Sequence, residues 1–421
     1  MPSWLFHVLE MRRRLWFTVA LYSAFGVLAA LVAARFGRYV PSDFPLRLGS
    51  DAVDDLLSIL ASSMLAVATF SLATLVTAYT SVAANLAPHA AQLLVSVSAI
   101  RNTLATFIGA FVYAMVGIVA VHTGYYGAQG RVILFFFTLV VLGGVIVAML
   151  RWVGELSRLG QSNDVIGRVA DATSQALRSP VGRRAVGPPP PRPDEALPVH
   201  AGSMGFVQNV DLGGLRRIVE ARGGQIFLAV QPGDFVHRGQ PILWMSGGRF
   251  DSACVHELQR RVTLGAQRTH QQDPRYGMRV LGEVAGRALS PGVNDPGTAR
   301  DVLARSTLLV NLWVEACPPD DAPRVDVVAP GLSAEALLEE ALGPIIRHGA
   351  DDPGLQVELQ HALAGLAALH DREVARAAWK LSRKALDAAS EVLGQAERRQ
   401  VREAAGRVLG AARMSTEAGP L

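Results

Sequence analysis

The chain has 421 residues, half of them hydrophobic, and its formal charge of +4 rests almost entirely on arginine. The basic residues are scattered and are not interleaved with aromatic residues, which argues against a nucleic-acid-binding protein. The two cysteines, Cys254 and Cys317, are too few for a disulfide framework or a cysteine-based metal site.

Four long apolar runs fill the first 156 residues and set the class of the protein. Each is close to the ~20 residues that a helix needs to cross a hydrocarbon core of ~30 Å. None contains an acidic residue, and none alternates as the strands of a membrane barrel do. The runs are Leu15–Ala34, Leu56–Val82, Leu104–Val121 and Val132–Val153. The sequence therefore predicts an α-helical membrane protein with four transmembrane helices in residues 1–156.

Basic residues predict the orientation of these helices. Arg12, Arg13 and Arg14 lie just before the first run, which favours a cytoplasmic N-terminus. A larger basic excess follows the fourth run, and four crossings return the chain to its starting side. Both termini are therefore expected in the cytoplasm.

The second apolar run differs from the others because it is rich in serine and threonine. At 100° per residue, Ser58, Ser62, Thr69 and Thr80 fall within a stripe about 40° wide, with Asp55 close to its N-terminal end. Small and hydroxylated residues permit close packing of helices and hydrogen bonds between them, so a packing face is one interpretation.

The other interpretation is the lining of a pore that several copies of the chain form together. A homo-oligomer is needed because four helices of one chain rarely enclose a conduction path. Asp55, Ser58, Ser62 and Thr69 would line this path, and Asp54 with Asp55 would form an acidic ring that attracts cations. The alternative for the two acids is a solvated helix start, where the helix dipole favours negative charge.

A polar helix and a proline-rich linker are predicted for residues 157–198, since the four prolines 188–191 favour an extended spacer. A small β-domain is predicted for residues 199–250, with a short helix over Leu212–Ala221. Its glycine turns and apolar alternation resemble the barrel-sandwich half-barrel of biotinyl and lipoyl carrier domains. No lysine precedes Lys380, so cofactor attachment is excluded and no cofactor is expected.

The densest polar motif lies in residues 251–332, a region predicted to be helical. Asp273-Pro274 and Asp295-Pro296 each offer an N-cap followed by proline in the first turn, which predicts two capped helices joined by a rigid turn. The polar residues of this junction are expected either to close a buried network or to hold an anion at a helix N-terminus. They are Arg268, His270, Asp273, Arg287, Asn294 and Asp295.

Pairing of the arginines with Asp273 and Asp295 would make the junction structural and not catalytic. The pairs His256–Glu257 and His270–Asp273 are interpreted as surface groups. The chain has no phosphate-binding loop, zinc-ligand spacing or nucleophile elbow. No enzyme activity and no metal site are therefore expected.

Both stretches of the motif, Arg268–Gly277 and Arg287–Ala299, resemble the hallmark of a bacterial family classed as domain of unknown function 2254. The Pro-Gly-Asp-Phe-Val segment and the hydroxylated second run are also similar to that family. The resemblance extends from the first run to about Ala367 and implies a predicted membrane protein of the bacterial cytoplasmic membrane. It carries no catalytic residues to this chain.

The C-terminal region, residues 333–421, is predicted to be helical, after a strand at Val325–Val328. Helices are expected over Ser333–His348, Pro353–His370 and, as one charged segment, Glu373–Met414. For the whole chain the sequence favours an oligomeric ion channel or transport protein with a cytoplasmic regulatory domain. The alternative is a non-conducting scaffold or sensor whose tail binds a partner. The expected partners are the lipid bilayer and further copies of the chain, with no nucleic acid.

Overall fold

The computed structural model describes residues 50–85, 88–90, 98–123, 128–156, 162–181, 192–248, 251–316, 326–369 and 371–417, with a few isolated positions between 20 and 32. The chain divides into two compact units. The membrane unit comprises residues 1–83 and 91–161, and the second unit comprises residues 84–90 and 162–421.

Three long helices make up the described part of the membrane unit: α1 (Ser50–Asn85), α2 (Ser98–His122) and α3 (Ala128–Leu156). Each is long and apolar enough to cross a membrane. All three extend beyond the apolar runs, because the helical backbone satisfies its own hydrogen bonds whether or not the flanking side chains are apolar. The predicted first span, Leu15–Ala34, lies outside the described residues apart from the isolated positions. Three spans are therefore described where four were predicted.

Large side chains of all three helices form the core of the membrane unit. Leu57, Phe107 and Leu134 are almost completely buried. The Thr138 hydroxyl donates to the Leu134 carbonyl over 2.8 Å, so the hydrogen bond of 3.1 Å between Thr138 and Tyr113 takes its proton from the tyrosine. This pair satisfies two buried hydroxyl groups between α2 and α3.

Seven strands form two sheets in the described part of the second unit. One sheet has the order β1-β5-β3-β7 and the other β4-β2-β6. The strands are β1 (Leu197–His200), β2 (Gly205–Val210), β3 (Gln225–Leu228), β4 (Phe235–Val236), β5 (Pro241–Ser246), β6 (Val262–Gly265) and β7 (Val327–Val328). All pairings are antiparallel except that of β3 with β7. Strands β6 and β7 lie outside residues 199–250, the range predicted for the β-domain. The predicted barrel-sandwich is not confirmed.

The second unit also contains nine described helices, two of which start at the aspartate caps that the sequence predicted. They are α4 (Ser162–Leu177), α5 (Leu212–Arg222), α6 (Ser252–Arg260), α7 (Pro274–Ala288), α8 (Pro296–Glu315), α9 (Ala334–His348), α10 (Pro353–Ala367), α11 (Arg372–Val392) and α12 (Gln395–Glu417). The prediction of one helix over Glu373–Met414 is wrong. Leu393 is extended, and Gly394 separates α11 from α12.

Candidate functional site

The first half of the polar motif gathers at the N-terminus of α7. Asp273 caps this helix by accepting a hydrogen bond of 3.0 Å from the Tyr276 backbone N–H. Its other carboxylate oxygen lies 2.7 Å from the Arg268 guanidinium, and the residue is only 1% exposed. Burial raises the pKa of Asp273, while Arg268 opposes this shift. The predicted structural pair of an arginine with Asp273 is therefore present.

A glycine turn from the β-region covers this buried pair. Gly233 has φ +91, and a Cβ atom there would lie 2.1 Å from the Asp273 carboxylate and 2.8 Å from the Arg268 guanidinium. No residue with a side chain fits this position. Arg275 holds the same turn, since it donates to the Pro232 carbonyl over 3.1 Å and to Asp234 over 2.7 Å. The turn and the start of α7 thus form one rigid junction.

Aromatic and cationic groups surround Tyr276 in the first turn of α7. The His270 ring lies 4.5 Å from the Tyr276 ring, and the Arg268 guanidinium lies 5.1 Å from its centroid. On another side the His89 ring packs edge-on at 5.8 Å. Nδ1 of His89 is also 2.8 Å from the Glu283 carboxylate, two helical turns beyond Tyr276. His89 therefore contacts two residues on one face of α7.

His270 is the least satisfied polar side chain of this cluster. Both of its ring nitrogens are buried, and neither has a hydrogen-bond partner among the described residues. Burial, with smaller contributions from His89 and Arg268, lowers the pKa of His270 from 6.5 to about 4. The imidazole is therefore neutral near pH 7. The prediction that His270 and Asp273 are surface groups is wrong, because the tertiary structure covers both.

The second half of the motif lies at the other end of α7. The 15 residues of this helix span roughly 22 Å, so the predicted single junction is two separate places. Asn294 adopts φ +51 in the turn, and Asp295 caps α8 by accepting from the Thr298 N–H over 3.1 Å and from its hydroxyl over 2.6 Å. The predicted pairing of an arginine with Asp295 is wrong for the described residues. Arg287 is exposed and forms no ion pair with the described residues.

The charged and aromatic groups of the first cluster contact one another. The Arg268 charge is paired with an internal carboxylate, and neutral His270 has no hydrogen-bond partner among the described residues. No group of three or more metal-binding side chains occurs in the described part of the chain. His89 and Glu283 were not selected from the sequence. The sequence signal for Glu283 was its seven-residue spacing from Tyr276, which places both residues on one helix face.

The four predicted pore-lining residues lie together on the exposed side of α1. Asp55, Ser58, Ser62 and Thr69 are all exposed in the single chain. The hydroxyl groups of Ser62 and Thr69 each donate to the carbonyl four residues earlier, both over 2.9 Å. Because the helix uses these hydroxyl hydrogens, the groups present oxygen lone pairs outward.

Comparison with known proteins identifies a family and several relatives that this chain resembles. The family model described as "Predicted membrane protein (DUF2254)" matches residues 12–365. Uncharacterized proteins of Mycobacterium bovis and Mycobacterium tuberculosis are each 30% identical over 198 residues, which cover 44% of this chain. The chain matches only 37% of the length of those relatives. No solved structure matches the chain.

Proposed function

The chain belongs to the DUF2254 family of predicted membrane proteins, and from that premise we propose that it forms an oligomeric cation pathway through the bacterial cytoplasmic membrane. In this proposal α1 of each copy lines the pathway, and the second unit regulates it from the cytoplasm. The observation that carries the proposal is the hydroxylated stripe of α1, which the single chain leaves exposed. We propose no enzymatic reaction for the chain.

Exposure of the stripe supports assembly of several copies. Lipid chains cannot form hydrogen bonds with the oxygen lone pairs on Ser62 and Thr69, whereas a neighbouring helix or water can. Small residues, Ala66 and Ala73, are also exposed on this side and allow a second helix to approach closely. A homo-oligomer brings copies of the stripe together and removes them from lipid.

The chemistry of the stripe favours cations as the permeating species. Its outward lone pairs resemble the oxygen atoms that replace hydration water around cations in known filters. Asp55 is exposed near the N-terminal end of α1 and adds a negative charge at one mouth. No cationic side chain is present in residues 50–85 to oppose this attraction.

We expect Thr69→Val to reduce cation flux into proteoliposomes by about fivefold, since it removes one oxygen ligand from each copy and thereby about 1 kcal/mol of cation stabilisation in total. Thr74→Val is the matched control. Thr74 makes the same 2.9 Å bond to the carbonyl four residues earlier, but it lies on the opposite, half-buried side of α1. Potassium and sodium flux are measured with a fluorescent indicator, and mass photometry of the same preparation reports the assembly.

Equal flux in the two variants would contradict the assignment of the stripe as the lining. A well-folded preparation that is entirely monomeric would contradict the assembly. Vesicles that stay silent across ions, voltages and membrane tension would favour the alternative function, a non-conducting scaffold or sensor that binds a partner through the second unit.

Orientation is tested separately with reporter fusions. A reporter that is active only in the cytoplasm is expected to be active after Val165 and inactive near Gly127, because both termini are proposed to be cytoplasmic. Fusion after Val165 leaves the apolar helices α1, α2 and α3 intact. Activity at the second site, or its loss at the first, would reverse the proposed orientation.

A further inference from the structure

We infer that the Arg268–Tyr276 motif is an internal docking site for the segment that follows α1, and that this contact regulates the proposed pathway. The inference rests on the proposed function for its regulatory half, whereas the docking half rests on the structure of the second unit. Residues 84–90 belong to that unit, although residues 84 and 85 are the last two of α1, whose apolar span ends at Ser81.

The segment is held at two consecutive positions, His89 and Ala90. Residues 88–90 form a helical turn in which Ala90 is fully buried. Between proline and alanine, His89 makes the edge-on contact with the Tyr276 ring at 5.8 Å and the 2.8 Å contact with Glu283. Pro88 limits continuation of α1 as a straight helix, which gives the turn its own position.

The docking surface is rigid because the buried Arg268–Asp273 pair holds Tyr276 in place. Asp273 binds the Tyr276 backbone and the Arg268 guanidinium, and that guanidinium lies over the Tyr276 ring. The His270 ring also packs against the Tyr276 ring, with 4.5 Å between the ring centroids. The motif thus fixes Tyr276, and Tyr276 with Glu283 binds His89.

A rigid receptor bound to the chain just after α1 restrains the inner end of that helix. Any event that moves or loosens α7 changes this restraint, and chain connectivity carries the change into α1. The groups that face His89 are Glu283 and Tyr276, and the same tyrosine ring also contacts His270 and Arg268. Loss of the Glu283 charge therefore weakens docking without disturbing the buried Arg268–Asp273 pair.

The test is hydrogen–deuterium exchange of the full-length protein in nanodiscs, combined with cation flux in proteoliposomes. Glu283→Gln and His89→Gln are expected to speed exchange of the amides of residues 84–90, among which Pro88 has none, about tenfold and to change flux by at least about threefold. His361→Gln is the control, because His361 is exposed on α10 in the same unit. It should leave both measurements unchanged. Tyr276→Leu serves as a stronger variant if it folds.

Unchanged exchange of amides 84–90 in both Glu283→Gln and His89→Gln overturns the docking site. Faster exchange with unchanged flux in a conducting protein overturns the regulatory role. If the wild-type vesicles are silent, the proposed pathway has failed, while the exchange measurement still decides whether the motif holds the segment after α1.

Discussion

Replacing Arg268 by alanine should destabilise the second unit by about 3–5 kcal/mol, because it leaves a buried carboxylate without its counter-charge. Asp273 is 1% exposed, and its oxygen lies 2.7 Å from the Arg268 guanidinium. Water cannot replace the lost charge without opening the junction between the Gly233 turn and α7. Thermal unfolding of the full-length protein in detergent measures the effect.

Arg287→Ala is the matched control, because it removes the same type of side chain near the other end of α7. Arg287 is exposed and forms no ion pair with the described residues. Its loss should change the free energy of unfolding by no more than about 0.5 kcal/mol. Similar melting of both variants would show that burial of the Arg268–Asp273 pair does not stabilise the unit.

His270→Phe should remove a pH dependence of stability that the wild-type protein shows between pH 7 and pH 5. The unfolded chain takes up a proton at this histidine near its ordinary pKa of 6.5, whereas the folded protein does so only at about 4. Within this window the unfolded state binds more protons, so stability falls as the pH falls. The expected loss is about 2 kcal/mol between pH 7 and pH 5.

At pH 7 the same substitution should cost less than about 1 kcal/mol. Neither ring nitrogen of His270 has a hydrogen-bond partner among the described residues, and phenylalanine keeps the aromatic contact with Tyr276. The raised pKa of Asp273 acts in the opposite direction, because protonation there favours the folded state as the pH falls. Its contribution is common to both proteins, so their difference isolates His270.

Unfolding of the full-length protein in detergent at pH 5, 6 and 7 measures this difference. His361→Gln should keep the wild-type slope, since it removes an exposed histidine from the same unit. A His270→Phe variant that loses as much stability as the wild type on acidification would show that another group causes the slope.

Local features of the sequence determined the class of the protein and the starts of several helices. The length of an apolar run decides whether a helix can cross lipid, and an Asp-Pro pair caps a helix wherever it occurs. The starts of α7 and α8 were therefore predicted at Pro274 and Pro296, where the structure has them. The resemblance carried by the same motif was confirmed by the family match over residues 12–365.

Only the tertiary structure decided what these caps do. Asp273 and Asp295 stand in the same Asp-Pro context, yet Asp273 is buried under the Gly233 turn and Asp295 is exposed. The difference comes from a turn 40 residues earlier in the chain, which no local pattern around either aspartate records. No local pattern around His89 records its contact with Glu283 either, because the two residues are 194 positions apart in the sequence. Burial and pairing depend on which distant segments pack together, and folding of the whole unit settles that.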